Sequence, residues 1–215
     1  MGVSDVQMFA IAIIGVFSSA SAAMTRTTAM QTTRRAFSTG VPLVVGGLAL
    51  PRTSVAAGTE SYADPASGAS FSYPSGWIFN KKELDRSQAP LVIVASADNP
   101  STNAFLAVNS IRGDYATLGS FGSPADVLVN LLPPAGTPGI TSEVLLSASK
   151  GSTYEFDYKI AFDNGPTRHL RTVFGLVHDP NGSDFLVTLT AQAEEQSYAE
   201  AKDVLTAIVT SLKFA

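Results

Sequence analysis

Cysteine is missing from all 215 residues of the chain. That absence excludes disulfides, thiolate nucleophiles, zinc–thiolate sites and a lipid anchored through cysteine. Histidine is nearly as scarce, with only His169 and His178. They fall nine residues apart on one expected strand, and an odd offset sends them to opposite faces, about 30 Å from each other. Such a pair cannot share a metal ion or a proton relay, and each reads as a polar residue near a strand end. Charge is thin as well, at 15% of residues. The chain has no phosphate-binding loop, no G-x-S-x-G elbow, no G-x-G-x-x-G and no H-E-x-x-H. The reactive side chains make no positive case for catalysis.

The first 57 residues stand apart in composition, with one acid (Asp5), four arginines (26, 34, 35 and 52) and no lysine. Residues 8–17 are an apolar run followed by small residues, too short to span a bilayer and suited to a secretory signal. Residues 24–33 are Thr-rich and free of acids, as in a short organelle transit segment. The pair Arg34 and Arg35, a second apolar run over 41–50 and a small-x-small site at 54–57 form a twin-arginine export signal. The expected division is therefore an ER-type signal peptide over 1–23, a transit and twin-arginine segment over 24–57, and one domain over 58–215. Signals in that series imply a plastid reached through the ER, with delivery to the thylakoid lumen.

The remaining domain carries 10 basic and 17 acidic residues, a formal charge of −7. An acidic domain of this kind is a poor partner for nucleic acid or an anionic membrane surface.

Its organising stretch is 152–192. Tyr154, Phe156, Tyr158, Ile160 and Phe162 alternate with Glu155, Asp157, Lys159 and Ala161, the pattern of a strand with one face buried and one wet. Residues 163–166 break it with a turn, 167–178 form a second strand, Asn181 and Gly182 a second turn, and 184–192 a third strand. The Asn181–Ser183 triplet also fits a glycosylation acceptor, although the hairpin turn accounts for it. On the middle strand Leu170, Phe174 and Leu176 point one way and Val173 and Val177 the other, so both faces of the sheet are covered.

Upstream, 62–64 and 70–73 read as a hairpin, 91–95 and 104–111 as two further strands, and 143–149 as another. Residues 81–86 read as a charged loop, with Lys81, Lys82 and Arg86 as the candidate docking patch. Ser123, Pro124 and Asp126 signal a helix start over 125–132. Ser197 and Glu200 form a capping box, and Tyr198, Ala201, Leu205, Ile208, Val209 and Leu212 recur at helical spacing over 197–212. Strands, a helix, a meander and a closing helix make an α+β domain.

Several stretches together resemble the PsbP family of extrinsic lumenal photosystem proteins. They are Tyr62 with 71–77, 118–126 with Leu131 and Leu132, 154–158, 168–171, Leu186 with 191–193, and 211–214. The resemblance covers about 62–215 and rests on the order and spacing of motifs. It implies an α/β/α sandwich with a central antiparallel sheet flanked by helices, and a non-enzymatic role. Within the family, PsbP proper helps to retain the calcium and chloride of water oxidation on photosystem II. Relatives serve assembly or repair of photosystem I, photosystem II or an NDH-type complex.

By that resemblance His169, Glu194 and Glu195 are candidate metal ligands and calcium the candidate cofactor. The expected partners are lumenal subunits of photosystem II or photosystem I assembly intermediates, at the thylakoid membrane periphery. Arg168 joins the candidate docking residues, because 166–169, 194–195 and the face of Glu155, Asp157 and Lys159 are where a partner or ion would touch. Ion-retaining members carry a longer N-terminal arm than the few residues between 57 and Tyr62, and a more basic surface, which points towards an accessory or assembly role. A lumenal enzyme or ligand-binding domain, with a pocket under Trp77 or the 133–139 loop, is the reading from another class.

Overall fold

The computed structural model describes residues 58–82, 91–111, 115, 117–178 and 184–214. The expected leader segments, Arg86 with the rest of its loop, and the Asn181–Gly182 turn lie outside the described residues.

Among the described residues, nine strands and two α-helices follow in chain order. They are β1 (Thr59–Ala63), β2 (Ser70–Pro74), β3 (Ile78–Lys82), β4 (Leu91–Ala95) and β5 (Asn103–Ile111); a 3-10 turn (Leu118–Phe121) and α1 (Pro124–Leu131); then β6 (Ile140–Lys150), β7 (Thr153–Phe162), β8 (Gly165–His178), β9 (Asp184–Glu194) and α2 (Glu195–Thr210). Strands β3 to β9 form one sheet in the order β3-β4-β5-β9-β8-β7-β6, while β1 and β2 pair by themselves. All pairings are antiparallel.

The alternation over 154–162 does what its period requires: Tyr154, Phe156, Tyr158 and Ile160 are all buried. They join Leu170, Phe174, Leu186 and the α1 residues Val127, Leu128 and Leu131 in the core on one face. On the other face Val173, Val177, Val187 and Leu189 pack against α2, through Leu205, Ile208 and Val209, and against Phe71 and Tyr73 of the hairpin. The opposed sets on β8 thus serve opposed cores. The result is an antiparallel sheet between helical layers, an α/β/α arrangement of the α+β class.

Three buried hydroxyls on the α1 face satisfy one another, whereas Thr188 Oγ1 and Gln192 Oε1 are buried without a partner among the described residues. Tyr158 Oη lies 3.3 Å from Thr172 Oγ1, which is 2.9 Å from Thr190 Oγ1. Burial pushes the Tyr158 hydroxyl up to about 12, so the phenol stays neutral.

The structure departs from expectation in four places. Residues 78–82 form an edge strand, so Lys81 and Lys82 sit on β3 and not in a loop. That strand is exposed throughout, so no apolar alternation marks it in the sequence. Helix α2 begins at Glu195 with Glu194 as N-cap, two residues before the expected box; no side chain caps it, and Ser197 Oγ donates instead to the Glu194 carbonyl at 3.1 Å. His169 is buried, at 6% exposure, and is not a strand-end surface group. The face of Asp157 and Lys159 lies partly beneath the start of α2 and is not simply wet.

After α2 the chain returns to the hairpin, where Lys213 and Ser70 exchange backbone hydrogen bonds of 2.8 and 2.9 Å. This sets the Phe214 ring over Gly175 so closely that a Cβ at that position would collide with it. Here the glycine is required by close approach, since nothing larger fits between β8 and the ring.

Candidate functional site

The densest group of chemistry-bearing side chains lies where the first turn of α2 meets β7 and β8. Antiparallel register puts Lys159 opposite His169 and Asp157 opposite Arg171. On the other side of β8, His169 and Arg171 face Ala193 and Ala191 of β9. Those two alanines, both fully buried, leave room for α2 to approach the sheet. The helix follows β9 without a loop, so Glu195 in its first turn swings directly over His169.

His169 is gripped on both sides. Its Nε2 is 2.6 Å from Asp157 Oδ1 and its Nδ1 is 2.7 Å from Glu195 Oε2. The ring lies flat on Tyr198, one helical turn beyond Glu195, with centroids 3.4 Å apart and planes 7° from parallel. Both carboxylates accept a hydrogen bond only if both ring nitrogens carry protons, as in the imidazolium. Lys159 Nζ then bridges Glu195 at 2.7 Å and Glu143 at 3.9 Å. Arg171 reaches Asp157 Oδ2 at 3.5 Å and donates to Thr206 three turns along the helix. With His169 cationic, three carboxylates balance three cations.

The environment of each group follows from this. The Lys159 ammonium holds the Glu195 carboxyl below its ordinary range, with His169 adding to the effect against some burial. The same hydrogen bond holds Lys159 above the ordinary lysine value. Burial, and next the Asp157 charge, push the Tyr198 hydroxyl up to about 12. That hydroxyl is buried without a hydrogen-bond partner among the described residues.

These residues do not fit a calcium ion. Calcium takes six to eight oxygens at roughly 2.3–2.6 Å, whereas Asp157 and Glu195 lie at opposite nitrogens of one ring and their remaining oxygens face Arg171 and Lys159. Glu194 points elsewhere, accepting from Gln196 Nε2 at 2.9 Å and facing Arg168 at 3.8 Å. Among the described residues no group of three or more His, Cys, Asp or Glu is arranged to hold a metal. Both ring nitrogens of His169 are committed to carboxylates of the chain itself. The cluster is an ionic clamp between the last helix and the sheet.

Of the sequence candidates, the structure unites His169 and Glu195 and sets Glu194 beside them on a different contact. Arg168 also donates to the Ser101 carbonyl at 3.3 Å. Lys81 and Lys82 lie four strands from β8 in the sheet, roughly 19 Å at ordinary strand spacing. Arg171 and Tyr198 were not legible as members of the site; Tyr198 is signalled only as part of the helix stripe. Two surface grooves among the described residues sit between α2 and strands β6, β7 and β8, both lined by Glu155, Val173, Val209 and Thr210, away from Trp77 and the 133–139 loop.

What the fold and the clamp define is a sheet-centred scaffold whose strongest polar interactions are spent internally. The sequence matches the PsbP family over residues 57–214, and the chain belongs to that family. The fold is similar to the solution structure of cyanobacterial PsbP (CyanoP) from Synechocystis sp. PCC 6803, with TM-score 0.58 at 18% identity, over 80% of this chain and 97% of that one. LpqN, involved in cell envelope biogenesis of Mycobacterium tuberculosis, gives 0.45 at 16% identity over 73% of this chain and 91% of its own. The Ran-binding protein Mog1p of Saccharomyces cerevisiae gives 0.41 at 13%, over 74% and 96%. Comparison with curated proteins returns no match. The PsbP family is in general non-catalytic and associated with the thylakoid lumen. Among the described residues no helix is long and apolar enough to cross a membrane.

Proposed function

We propose that the chain is a non-catalytic extrinsic protein of the thylakoid lumen that docks on photosystem II and supports its oxygen-evolving complex. The observation that carries this reading is the family match over 57–214, joined to a fold whose clustered ionic groups are consumed in holding α2 on the sheet. On this reading the protein helps to retain calcium and chloride by covering its host, since no calcium site is formed among the described residues. Docking falls to exposed groups: Lys81 and Lys82 on β3, with Ile78 and Phe79, which are 52% and 42% exposed on the same edge strand. The leader over 1–57 supports delivery to the lumen of a complex plastid.

The charge of −7 over residues 58–215 favours a second reading, a transient assembly or repair factor for a photosystem or an NDH-type complex. Native separation of thylakoid complexes, probed for this chain, distinguishes the two. A resident subunit runs with mature photosystem II, and an assembly factor runs only with immature complexes.

A further inference from the structure

The last strand on the opposite edge of the sheet is the most exposed long element of the fold. All eleven residues of β6 are exposed or half-exposed, and Val144, Leu145 and Leu146 are 46%, 46% and 41% exposed. Strand β7 pairs one side of it; among the described residues no strand pairs with the other side, which offers backbone donors and acceptors to any strand that fits. A long apolar edge of this kind is a template for strand addition. We propose that β6 pairs with β6 of a second copy of this chain, antiparallel about a two-fold axis through Ser147.

A strand register visible only in the structure favours a second copy as the occupant. Glu143 and Lys150 are seven residues apart, an offset that puts them on opposite faces of a regular strand. The register shift between Val144 and Leu146 inserts one extra residue and restores them to the same face. Their contacts show this: Glu143 lies 3.9 Å from Lys159 and Lys150 3.1 Å from Glu155, and both partners alternate onto the α2 side of β7. With the extra residue absorbed, each stands three pairing positions from Ser147. A two-fold through Ser147 then sets Glu143 of each copy opposite Lys150 of the other, twice over.

Size follows the same symmetry. Val144 meets Ser149, and the bulged pair Leu145 and Leu146 meets Ala148, so large residues of one copy face small residues of the other. An interface on a two-fold must be self-complementary in this way. Opposite charges facing each other across strands favour pairing, and like charges oppose it. The existing intrachain partners do not compete strongly, because the Glu143 and Lys150 side chains are 64% and 68% exposed and exposed pairs are weak.

Sedimentation velocity on the full chain tests this, over roughly 1 to 500 µM because small edge contacts belong to transient complexes. The wild type is expected to dimerise. Glu143→Lys and Lys150→Glu each place like charges opposite one another twice, and each weakens the dimer about tenfold or more. An equal mixture of the two variants forms a heterodimer with every pair again of opposite sign, and so recovers wild-type association. A purely intrachain role gives no such recovery, since both intrachain pairs stay broken on mixing. Hydrogen exchange on the wild type provides a check without substitution: amides of 141–150 become protected as concentration rises. A monomer across the range, association untouched by the variants, a mixture no tighter than its components, or β6 protection only on binding a different protein would each overturn the proposal.

Discussion

His169 lies flat against Tyr198, 3.4 Å from ring centre to ring centre, with a carboxylate at either end of the imidazole. This contact fixes the start of α2 over the centre of the sheet. The helix has no side-chain cap to define where it begins; the clamp supplies that definition.

Replacing His169 by Phe keeps the ring stack and removes both hydrogen bonds, leaving Asp157 with only its 3.5 Å contact to Arg171. Hydrogen bonds to charged groups contribute roughly 1.5–3 kcal/mol, and an orphaned buried partner adds its desolvation cost. The expected loss is about 2–3 kcal/mol in urea unfolding. An unchanged midpoint would show that the clamp does not hold the helix.

The clamp also sets a pH dependence. Glu195 is held below its ordinary carboxyl value of 4.5, first by the hydrogen bond from Lys159 and next by His169. A group whose folded value is depressed stabilises the fold above its unfolded value, and that contribution fades as pH falls through the folded one. Wild-type stability is therefore expected to drop as pH falls below about 4.5, and Glu195→Gln to flatten the drop while lowering stability at neutral pH. Urea midpoints measured through that range would show it; identical slopes for the two proteins would contradict it.

Much of this architecture is readable in the chain. The alternation over 154–162 and the opposed sets Leu170, Phe174 and Val173, Val177 name both faces of the sheet, because burial enforces period two. The stripe from Tyr198 to Leu212 names the helix face for the same reason. Strand β3 is hidden because all of its residues are exposed, and exposure leaves no pattern. The clamp is hidden because its members meet across 12 and 26 residues of sequence. Its cross-strand half also depends on a register shift between Ile160 and Phe162 that no residue type announces. The resemblance names His169 and Glu195, but as metal ligands. Their geometry makes them partners of each other.

Helix starts offer a contrast between a formed box and an unformed one. Ser123 and Asp126 make a reciprocal box at α1, with Ser123 N donating to Asp126 Oδ2 at 2.8 Å and Asp126 N donating to Ser123 Oγ at 3.3 Å. Ser123→Ala is expected to cost about 1 kcal/mol. Ser197→Ala, inside the first turn of α2, should cost less than about 0.5 kcal/mol, as an interior serine competes with the helix backbone. Equal losses in thermal unfolding would contradict the assigned start of α2.

Gly175 and Phe214 form a pair that should not add. Gly175→Val drives a side chain into the Phe214 ring, and overpacking of this kind costs about 1–3 kcal/mol. Phe214→Ala removes the obstacle, so the double variant should be more stable than the sum of the single losses allows. Strict additivity would mean that the C-terminal ring does not seat on β8.

Docking on photosystem II is the function proposed for the chain. Its most direct test is to add the purified chain to photosystem II membranes stripped of extrinsic proteins by salt, and to measure bound protein and oxygen evolution at limiting calcium and chloride. Saturable binding, reversed by salt, with recovered oxygen evolution is the predicted result. Failure to bind, or binding that leaves oxygen evolution at the stripped level, would contradict it.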